Sequence, residues 1–201
     1  MSKGAPGVRY AEVERETKET RVRVVVDLDG GTHSDIRTGI GFLDHMMELM
    51  AFHGCFDVGI VADGDLTVDD HHTAEDVGIV LGMALREALE DSASIERYAH
   101  SLLPMDESLV MVAVDISGRG ALYYEADFKR EKIGDLSTEN IREFFGALAR
   151  HAGISLHIRV VTGSNEHHIA EAMFKGFGRA LGQAVRKSER VGSTSTKGKI
   201  D

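Results

Sequence analysis

The sequence predicts an α+β fold made of two tandem half-domains, and two observations carry this expectation. The first is a near-repeat, because residues 70–75, Asp-His-His-Thr-Ala-Glu, return as residues 166–171, Glu-His-His-Ile-Ala-Glu. The second is that each copy runs into an apolar stretch in which Gly82 matches Gly178. A match that extends over a whole helix is typical of a duplicated supersecondary unit.

We expect each half to contain a small mixed four-stranded sheet with two helices on one face, and the helices to pack together between the sheets. The half-domains are placed at residues 1–92 and 93–187, followed by a polar C-terminal tail at 188–201. Small residues on the long helices would permit close helix packing, although helix propensity alone disfavours glycine. These residues are Gly78, Gly82, Ala84, Gly176, Gly178 and Ala180.

The first half begins with two predicted strands. Residues 8–15 alternate loosely between apolar and polar side chains, and residues 21–28 are rich in β-branched residues. Residues 42–52 are apolar around most of the helix circumference, which predicts a short buried helix that ends at a glycine. A strand over residues 56–61 follows, and then a long helix that runs from the first double histidine to Ala88.

The second half repeats this alternation of strands and helices. Predicted strands over residues 109–116 and 121–128 flank the sequence Ser-Gly-Arg-Gly, a turn signal that predicts a β-hairpin. A helix over residues 138–151, a strand over 154–161 and a last helix over 166–187 complete this half.

Composition limits the classes of function. A formal net charge of −10 over 201 residues lacks the broad basic surface that nucleic-acid backbones demand. No segment approaches the roughly 20 apolar residues that span a bilayer, and the N-terminus lacks a signal-peptide core. The single cysteine, Cys55, rules out an intrachain disulfide framework and is expected to be a small core residue. We therefore expect a cytoplasmic protein that binds neither nucleic acid nor membranes.

The repeated His-His-x-x-Glu pattern predicts metal binding. Residues four apart share one face of a helix, so His71 converges with Glu75, and His167 with Glu171. Imidazole with carboxylate suits zinc, iron(II), cobalt or manganese. The adjacent histidines point about 100° away, which favours two metal centres, or one helix feeding a site that another element completes. The competing interpretation, packed or solvated histidines, explains one such pair more easily than two.

Five motifs in one order closely resemble the imidazoleglycerol-phosphate dehydratase family of histidine biosynthesis. They are Phe42-Leu43-Asp44-His45-Met46, residues 69–76, Pro104-Met105-Asp106-Glu107, Asp115-Ile116-Ser117-Gly118-Arg119, and residues 165–168 with 174–177. The resemblance extends from Arg9 to Gly198. Five motifs in register are far more specific than any one of them.

The resemblance implies manganese dependence, with two Mn²⁺ ions in each active site. Matching the ligands of the family onto this sequence selects His45, His71, His72, Glu75, Glu143, His167, His168 and Glu171. Glu143 stands where the family often has histidine, and a carboxylate oxygen can replace imidazole at manganese. Aligning the two short helices also places Glu143 opposite His45.

The same matching implies a small substrate that carries a phosphate. The residues implied in substrate binding are Glu19, His45, His53, His71, His72, Glu75, Arg97, Arg119, Lys175, Ser195 and Lys197. The catalytic set is Glu19, His45, His71, Glu75, His167 and Glu171, with Glu19 as general base. Cationic side chains make charge-assisted hydrogen bonds to phosphate, and the tail that contains Ser195 and Lys197 would close over it. Leu49 stands where the family often has glutamine, so one polar contact near the phosphate is expected to be missing.

The implied reaction removes water from D-erythro-1-(imidazol-4-yl)glycerol 3-phosphate and yields imidazole acetol phosphate. If two metals hold the substrate ring as an imidazolate, the ring can expel the carbinol hydroxyl, and the neighbouring C–H becomes acidic. Two other classes stay open on the residues alone: a dinuclear metallohydrolase that releases phosphate, and a metal-stabilised assembly module without catalysis. Family members form a shell of 24 subunits with sites between protomers, which implies a large homo-oligomer here.

Overall fold

The computed structural model describes residues 8–89 and 94–188, and its elements fall into two groups. The first group is β1 (Tyr10–Glu16), β2 (Thr20–Asp27), β3 (Ser34–Arg37), α1 (Gly41–Gly54), β4 (Asp57–Gly64) and α2 (His71–Leu89). The second is β5 (Tyr98–Met105), β6 (Ser108–Ile116), β7 (Ala121–Glu125), β8 (Lys132–Ile133), β9 (Leu136–Ser137), α3 (Thr138–Ala152), β10 (Ile154–Thr162) and α4 (Glu166–Ala184).

Each half forms one four-stranded mixed sheet, and the two sheets have the same topology. The strand order is β1-β2-β4-β3 in the first sheet and β5-β6-β10-β7 in the second. In each order the first three strands are antiparallel, while the last strand, β3 or β7, runs parallel to its neighbour. The predicted α+β class with two four-stranded mixed sheets is confirmed.

The core lies between the two sheets. Side chains alternate across a strand, and every second residue of β2 and β6 is buried on the inner face. These buried residues include Val22, Val24, Val26, Val110, Val112 and Val114. Helix α2 packs on β1 and β2, α4 packs on β5 and β6, and the halves meet where α2 contacts α3 and α1 contacts α4. The helices therefore form the two inner layers, as expected.

Glycines let the helices of the two halves approach closely. A Cβ atom at Gly82 of α2 would lie 2.7 Å from the carbonyl oxygen of Leu148 in α3. A Cβ atom at Gly178 of α4 would likewise collide with the carbonyl oxygen of Met50 in α1. The expectation of close helix packing is confirmed at these two crossings, which occupy equivalent places in the two halves, because a well-packed interior leaves no room for a side chain there.

Each half also caps a helix of the other half. Asp135, in the turn between β8 and β9, accepts the backbone N–H groups of Gly41 (2.6 Å) and Phe42 (2.9 Å) at the start of α1. Asp70 accepts the backbone N–H (2.6 Å) and the hydroxyl (2.7 Å) of Ser137 at the start of α3. The first N–H groups of a helix have no partner within the helix, so these carboxylates define both helix starts and join the halves.

The predicted hairpin over residues 109–128 is wrong. Strand β10 lies between β6 and β7, so the segment 117–120 crosses the end of β10 instead of joining neighbouring strands. A Cβ atom at Gly120 would lie 2.5 Å from the carbonyl oxygen of Arg150, which shows that this glycine serves the close passage of the chain past the end of α3. The hairpins of this half are instead β5–β6, which turns at Asp106 with a φ of 49°, and the short pair β8–β9.

Other local expectations also differ from the structure. Cys55 is exposed rather than buried, and it stands in the left-handed conformation directly after the last turn of α1. Strand β3 has only four residues and buries one of them, Ile36, which is too short a pattern to predict a strand. The last helix ends at Ala184 rather than at residue 187. The proposed boundary after residue 92 and nearly all of the tail lie outside the described residues, and no helix within the described ranges could cross a membrane.

Candidate active site

Four side chains of α1 and α4 form the α1/α4 cluster: His45, His167, Glu171 and Lys175. Asn165 accepts the backbone N–H of His167 (3.0 Å) and so caps α4, after which the four-residue spacing places the α4 side chains on one face. Nε2 of His167 lies 2.9 Å, and Nε2 of His45 3.5 Å, from Oε1 of Glu171. The ammonium group of Lys175 donates to Oε2 of Glu171 at 2.5 Å.

The electrostatic balance of this cluster keeps Glu171 ionised. Burial opposes ionisation, but the hydrogen bonds from Lys175 and His167 outweigh it and lower the pKa of Glu171. Burial together with the positive charges of Lys175 and Arg179 lowers the pKa of His53. The structure therefore brings two predicted substrate-binding residues, His53 and Lys175, to the cationic side of the cluster.

A second group on the other pair of helices forms the α2/α3 cluster: His71, Glu75, Asn140 and Arg150. The buried carboxylate of Asp70 accepts a hydrogen bond from Nδ2 of Asn140 at 2.9 Å. The amide oxygen of Asn140 therefore faces Nδ1 of His71 at 2.9 Å and accepts a hydrogen bond from its N–H group. Nε2 of His71 lies 3.9 Å from Oε2 of Glu75, and the guanidinium of Arg150 lies 3.5 Å from Oε1 of Glu75.

Glu143 lies on α3 at the place that His45 occupies on α1. Each residue stands five positions before the carbonyl group that meets a crossing glycine, Met50 in α1 and Leu148 in α3. Glu143 is half-buried and lies on the same side of α3 as Asn140, three residues earlier. Within the described residues, no hydrogen bond or ion pair joins Glu143 to the α2/α3 cluster.

The second histidine of the first motif occupies a separate place, the His72 corner, formed by His72, Asp65 and Glu19. The Asp65 carboxylate lies 3.1 Å from Nδ1 of His72, and this hydrogen bond raises the pKa of the ring. Because a carboxylate only accepts, Nδ1 carries the proton. Nε2 of His72 faces the Glu19 carboxylate at 3.9 Å. Glu19 comes from the turn between β1 and β2.

The second histidine of the second motif forms the corresponding His168 corner with Glu107 and Asp106. Oε2 of Glu107 lies 2.8 Å from Nδ1 of His168, and Oδ2 of Asp106 lies 3.7 Å from Nε2. Oε1 of Glu107 accepts the backbone N–H groups of Asn165 (2.7 Å) and Ser164 (3.2 Å). The bond from His168, with these backbone bonds, holds the pKa of Glu107 well below its usual range.

Three of the four histidines of the two motifs fit a metal site in their bonding, whereas Nε2 of the fourth, His167, donates to the carboxylate of Glu171. In His71, His72 and His168, Nδ1 donates to a side-chain oxygen, which leaves Nε2 as the nitrogen with a lone pair. Metal-ligating histidines typically donate their other ring N–H to such a partner. Among residues 8–89 and 94–188, however, no group of three or more histidine, cysteine or acidic side chains is placed to hold an ion. The predicted ligands are divided among separate places of one chain.

Two predicted phosphate-binding residues, Arg97 and Arg119, lie far from His168. Arg97 precedes β5 and donates from Nε to Asp115 Oδ1 (2.8 Å), and Arg119 follows β6. Glu107, beside His168, stands at the opposite end of β6, and a strand of nine residues spans about 30 Å. Within one chain the structure does not bring the arginines to the His168 corner. The other predicted residues of the phosphate site, Ser195 and Lys197, lie outside the described residues.

Known proteins resemble this chain over most of its length. The family model for imidazoleglycerol-phosphate dehydratase matches residues 38–181. The chain is 53% identical to the imidazoleglycerol-phosphate dehydratase of Acetivibrio thermocellus over 193 residues, which cover 96% of this chain and 99% of the relative. This chain belongs to the imidazoleglycerol-phosphate dehydratase family. The predicted family, and with it the predicted class of enzyme, a hydro-lyase, is confirmed.

Further members of the imidazoleglycerol-phosphate dehydratase family agree with this assignment. The protein of Xanthobacter autotrophicus is 58% identical over 178 residues, 89% of this chain and 90% of the relative. The crystal structure of the Staphylococcus aureus enzyme has a TM-score of 0.81 at 40% identity and covers 89% of this chain and 99% of that one. The structure of the Pyrococcus furiosus enzyme in complex with (S)-C348 has a TM-score of 0.79 at 40% identity, with 92% and 99% covered.

Three residues that bond Nδ1 of a motif histidine in this family member were not predicted as site residues: Asp65, Glu107 and Asn140. Asp65 and Asn140 carry no recognisable spacing relative to the motifs. Glu107 could have been found, because it stands directly before a valine-rich strand as Glu19 does.

Proposed function

We propose that this protein is a manganese-dependent imidazoleglycerol-phosphate dehydratase that works in the cytoplasm in L-histidine biosynthesis. It removes water from D-erythro-1-(imidazol-4-yl)glycerol 3-phosphate and yields imidazole acetol phosphate. The family match over residues 38–181 supports this proposal. The structural observation that carries it is the pair of His/Glu clusters on equivalent helices, because an imidazole ring has two nitrogens that two such clusters can hold.

The donor groups of the chain suit two manganese ions in each site. Imidazole nitrogens and carboxylate oxygens together are ligands that manganese accepts. The residues that would hold the ions are His45, His71, His72, Glu75, Glu143, His167, His168 and Glu171. When bound, the metal supplies Lewis acidity toward the imidazole ring of the substrate and orients it.

Glu19 is the proposed general base. Its side chain is 56% exposed and lies 3.9 Å from Nε2 of His72, so it can reach a substrate held beside that ring. Glu19 takes the proton from the carbon next to the one that loses its hydroxyl group. The C–H and C–O bonds break, a C=C bond forms and hydroxide leaves; the proton that Glu19 removed then converts the hydroxide to water and restores the carboxylate. The resulting enol then tautomerises to the ketone.

Cationic side chains would bind the phosphate group of the substrate. Lys175 supplies the cation of the α1/α4 cluster, and its charge acts on His53. Arg97 and Arg119 lie at the far end of the second sheet, so we propose that they, with Ser195 and Lys197, serve the site of a neighbouring protomer. Such a shared site requires a homo-oligomer, and the resemblance to the family implies 24 subunits. Leu49, half-buried on α1, would leave this phosphate site one polar contact short.

An assay of metal-free protein titrated with manganese tests the proposed function. Imidazoleglycerol phosphate is supplied as substrate, and imidazole acetol phosphate, inorganic phosphate and bound metal per chain are measured. We expect dehydration to rise with manganese and to level off near two ions per chain. Release of inorganic phosphate without the dehydration product would instead identify a metallohydrolase, and metal binding without turnover would identify an assembly module.

A further inference from the structure

The turn carboxylates Glu19 and Glu107 occupy equivalent positions in the two halves. Glu19 directly precedes β2, and Glu107 directly precedes β6. These two strands are the second strands of sheets with the same topology. Each glutamate also lies beside the second histidine of a motif, His72 or His168. A carboxylate therefore stands at the same place in both corners.

The two glutamates differ in how their carboxylates are bonded. The carboxylate of Glu107 accepts from Nδ1 of His168 (2.8 Å), from the N–H of Asn165 (2.7 Å) and from the hydroxyl of Ser108 (2.9 Å). The carboxylate of Glu19 meets Nε2 of His72 only at 3.9 Å, and no hydrogen bond of the described residues restrains it. The carboxylate of Glu107 is thus occupied by hydrogen bonds within the fold, whereas the carboxylate of Glu19 can still accept a proton from a substrate.

The residues that follow β4 and β10 explain why Glu19 and Glu107 are bonded differently. Asp65 directly follows β4 and holds Nδ1 of His72 at 3.1 Å. Gly163 directly follows β10, the strand equivalent to β4. A Cβ atom at Gly163 would lie 2.7 Å from the hydroxyl oxygen of Ser108 and 2.8 Å from Cγ1 of Ile169. The second half therefore has no room for a counterpart of Asp65, and Glu107 takes over the contact with the histidine.

We propose that Asp65 and Glu107 are positioning residues that set the tautomers of His72 and His168, and that this division leaves Glu19, unlike its counterpart Glu107, free to move the substrate proton. The last part rests on the proposed function. In both rings Nδ1 donates to a carboxylate, so the neutral ring keeps its lone pair at Nε2 for a metal. Of the two equivalent turn glutamates, only Glu19 then retains an unbound carboxylate for acid–base chemistry, and the unbound carboxylate of the His168 corner is that of Asp106, 3.7 Å from Nε2 of His168.

The change Glu107→Gln tests the positioning role because an amide has one accepting atom, whereas Glu107 accepts at both oxygens. If the Gln oxygen keeps the N–H groups of Ser164 and Asn165, its NH₂ group faces Nδ1 of His168. The neutral ring must then carry its proton at Nε2, which is the wrong nitrogen for ligation. Glu19→Gln is the matched change at the equivalent position and leaves the bond between His72 and Asp65 intact.

Solid-state ¹⁵N NMR of metal-free, ¹⁵N-histidine-labelled protein reports which ring nitrogen carries the proton. The pH is kept high enough for neutral rings, and the His168 signals are assigned as those missing in His168→Gln. We expect Nδ1–H in the wild type and in Glu19→Gln, and Nε2–H in Glu107→Gln. Asp106→Asn removes a charge beside the same ring but no Nδ1 bond, and should leave the proton at Nδ1.

Manganese affinity, measured by equilibrium titration, provides the second readout. We expect a loss of about 10- to 100-fold in Glu107→Gln and little change in Glu19→Gln, which should still lose turnover. An Nε2–H ring at His168 in the wild type overturns the proposal even if Glu107→Gln fails to fold. Unchanged tautomer and affinity in a folded Glu107→Gln protein, or normal turnover in Glu19→Gln, also overturn it. A wild type that does not dehydrate the substrate contradicts the proposed function, while the NMR and manganese results still decide the positioning role.

Discussion

The α1/α4 and α2/α3 clusters lie on equivalent helices, but their carboxylates are held very differently. Glu171 is only 10% exposed and is bonded by Lys175 at 2.5 Å and by His167 at 2.9 Å. Glu75 is 33% exposed, and Arg150 and His71 approach it only to 3.5 and 3.9 Å. The sequence explains the difference, because the position equivalent to Lys175 in α2 is held by an isoleucine. Equivalent helices thus form two different clusters. In the α1/α4 cluster, called the closed wall below, the carboxylate is buried and its charge is compensated; in the α2/α3 cluster, the open wall, the carboxylate is more exposed and loosely held.

The largest expected effect on the free energy of unfolding comes from removing the ion pair between Glu171 and Lys175 in the closed wall. Glu171→Gln leaves the ammonium group of Lys175, only 15% exposed, without its anionic partner. Loss of one partner from such a buried pair costs about 3 kcal/mol. The equivalent change Glu75→Gln removes a looser, more exposed contact and should cost less than about 1 kcal/mol. Urea unfolding of the metal-free protein measures both free energies.

A double variant separates the ion pair from other effects of the change. In Glu171→Gln with Lys175→Met, the uncompensated charge is gone, so we expect part of the lost stability to return. If Glu171→Gln and Glu75→Gln lower the free energy of unfolding equally, the α1/α4 and α2/α3 clusters do not differ in strength as the distances to their carboxylates indicate.

The helices of the fold were predictable because each carries a long apolar or repeated pattern, and α1, α2, α3 and α4 lie close to their predicted positions. The crossing from β6 to β7 was not predictable. Nothing in the sequence near Gly120 shows that its neighbour is the end of α3, and a Ser-Gly-Arg-Gly segment suits a tight turn equally well.

The candidate site was predictable where its chemistry is local in sequence. His71 with Glu75, and His167 with Glu171, follow from helical spacing alone. The contact between His71 and Asn140 joins residues 69 positions apart, and Asn140 is itself held by Asp70 from the other half. Such partners depend on how the halves dock, which no local pattern reports.

The two glycine crossings offer a test of how far the halves are equivalent. We expect Gly82→Ala and Gly178→Ala each to lower the free energy of unfolding by roughly 1–3 kcal/mol, because the added methyl group meets a backbone carbonyl. Gly146→Ala is the control, since its Cβ would have only ordinary contacts, 3.5 Å or longer, and alanine favours a helix by about 0.5–1 kcal/mol. Denaturant titration checks all three variants. A loss at only one crossing would mean that the two helix pairs pack differently.

The smallest expected effect concerns the position where the walls differ in ligand type, Glu143 on α3 against His45 on α1. If Glu143 is a ligand, Glu143→Gln should lower manganese affinity, whereas Glu143→His should retain it, because imidazole and carboxylate are both accepted by manganese. Glu139→Gln removes the same charge from an exposed position one turn earlier on α3 and serves as the control. Equilibrium titration with manganese measures the three affinities. An equal loss of manganese affinity in Glu143→Gln and Glu139→Gln would show only a general effect of charge. The ligand that accompanies His71 and Glu75 would then have to be a residue other than Glu143.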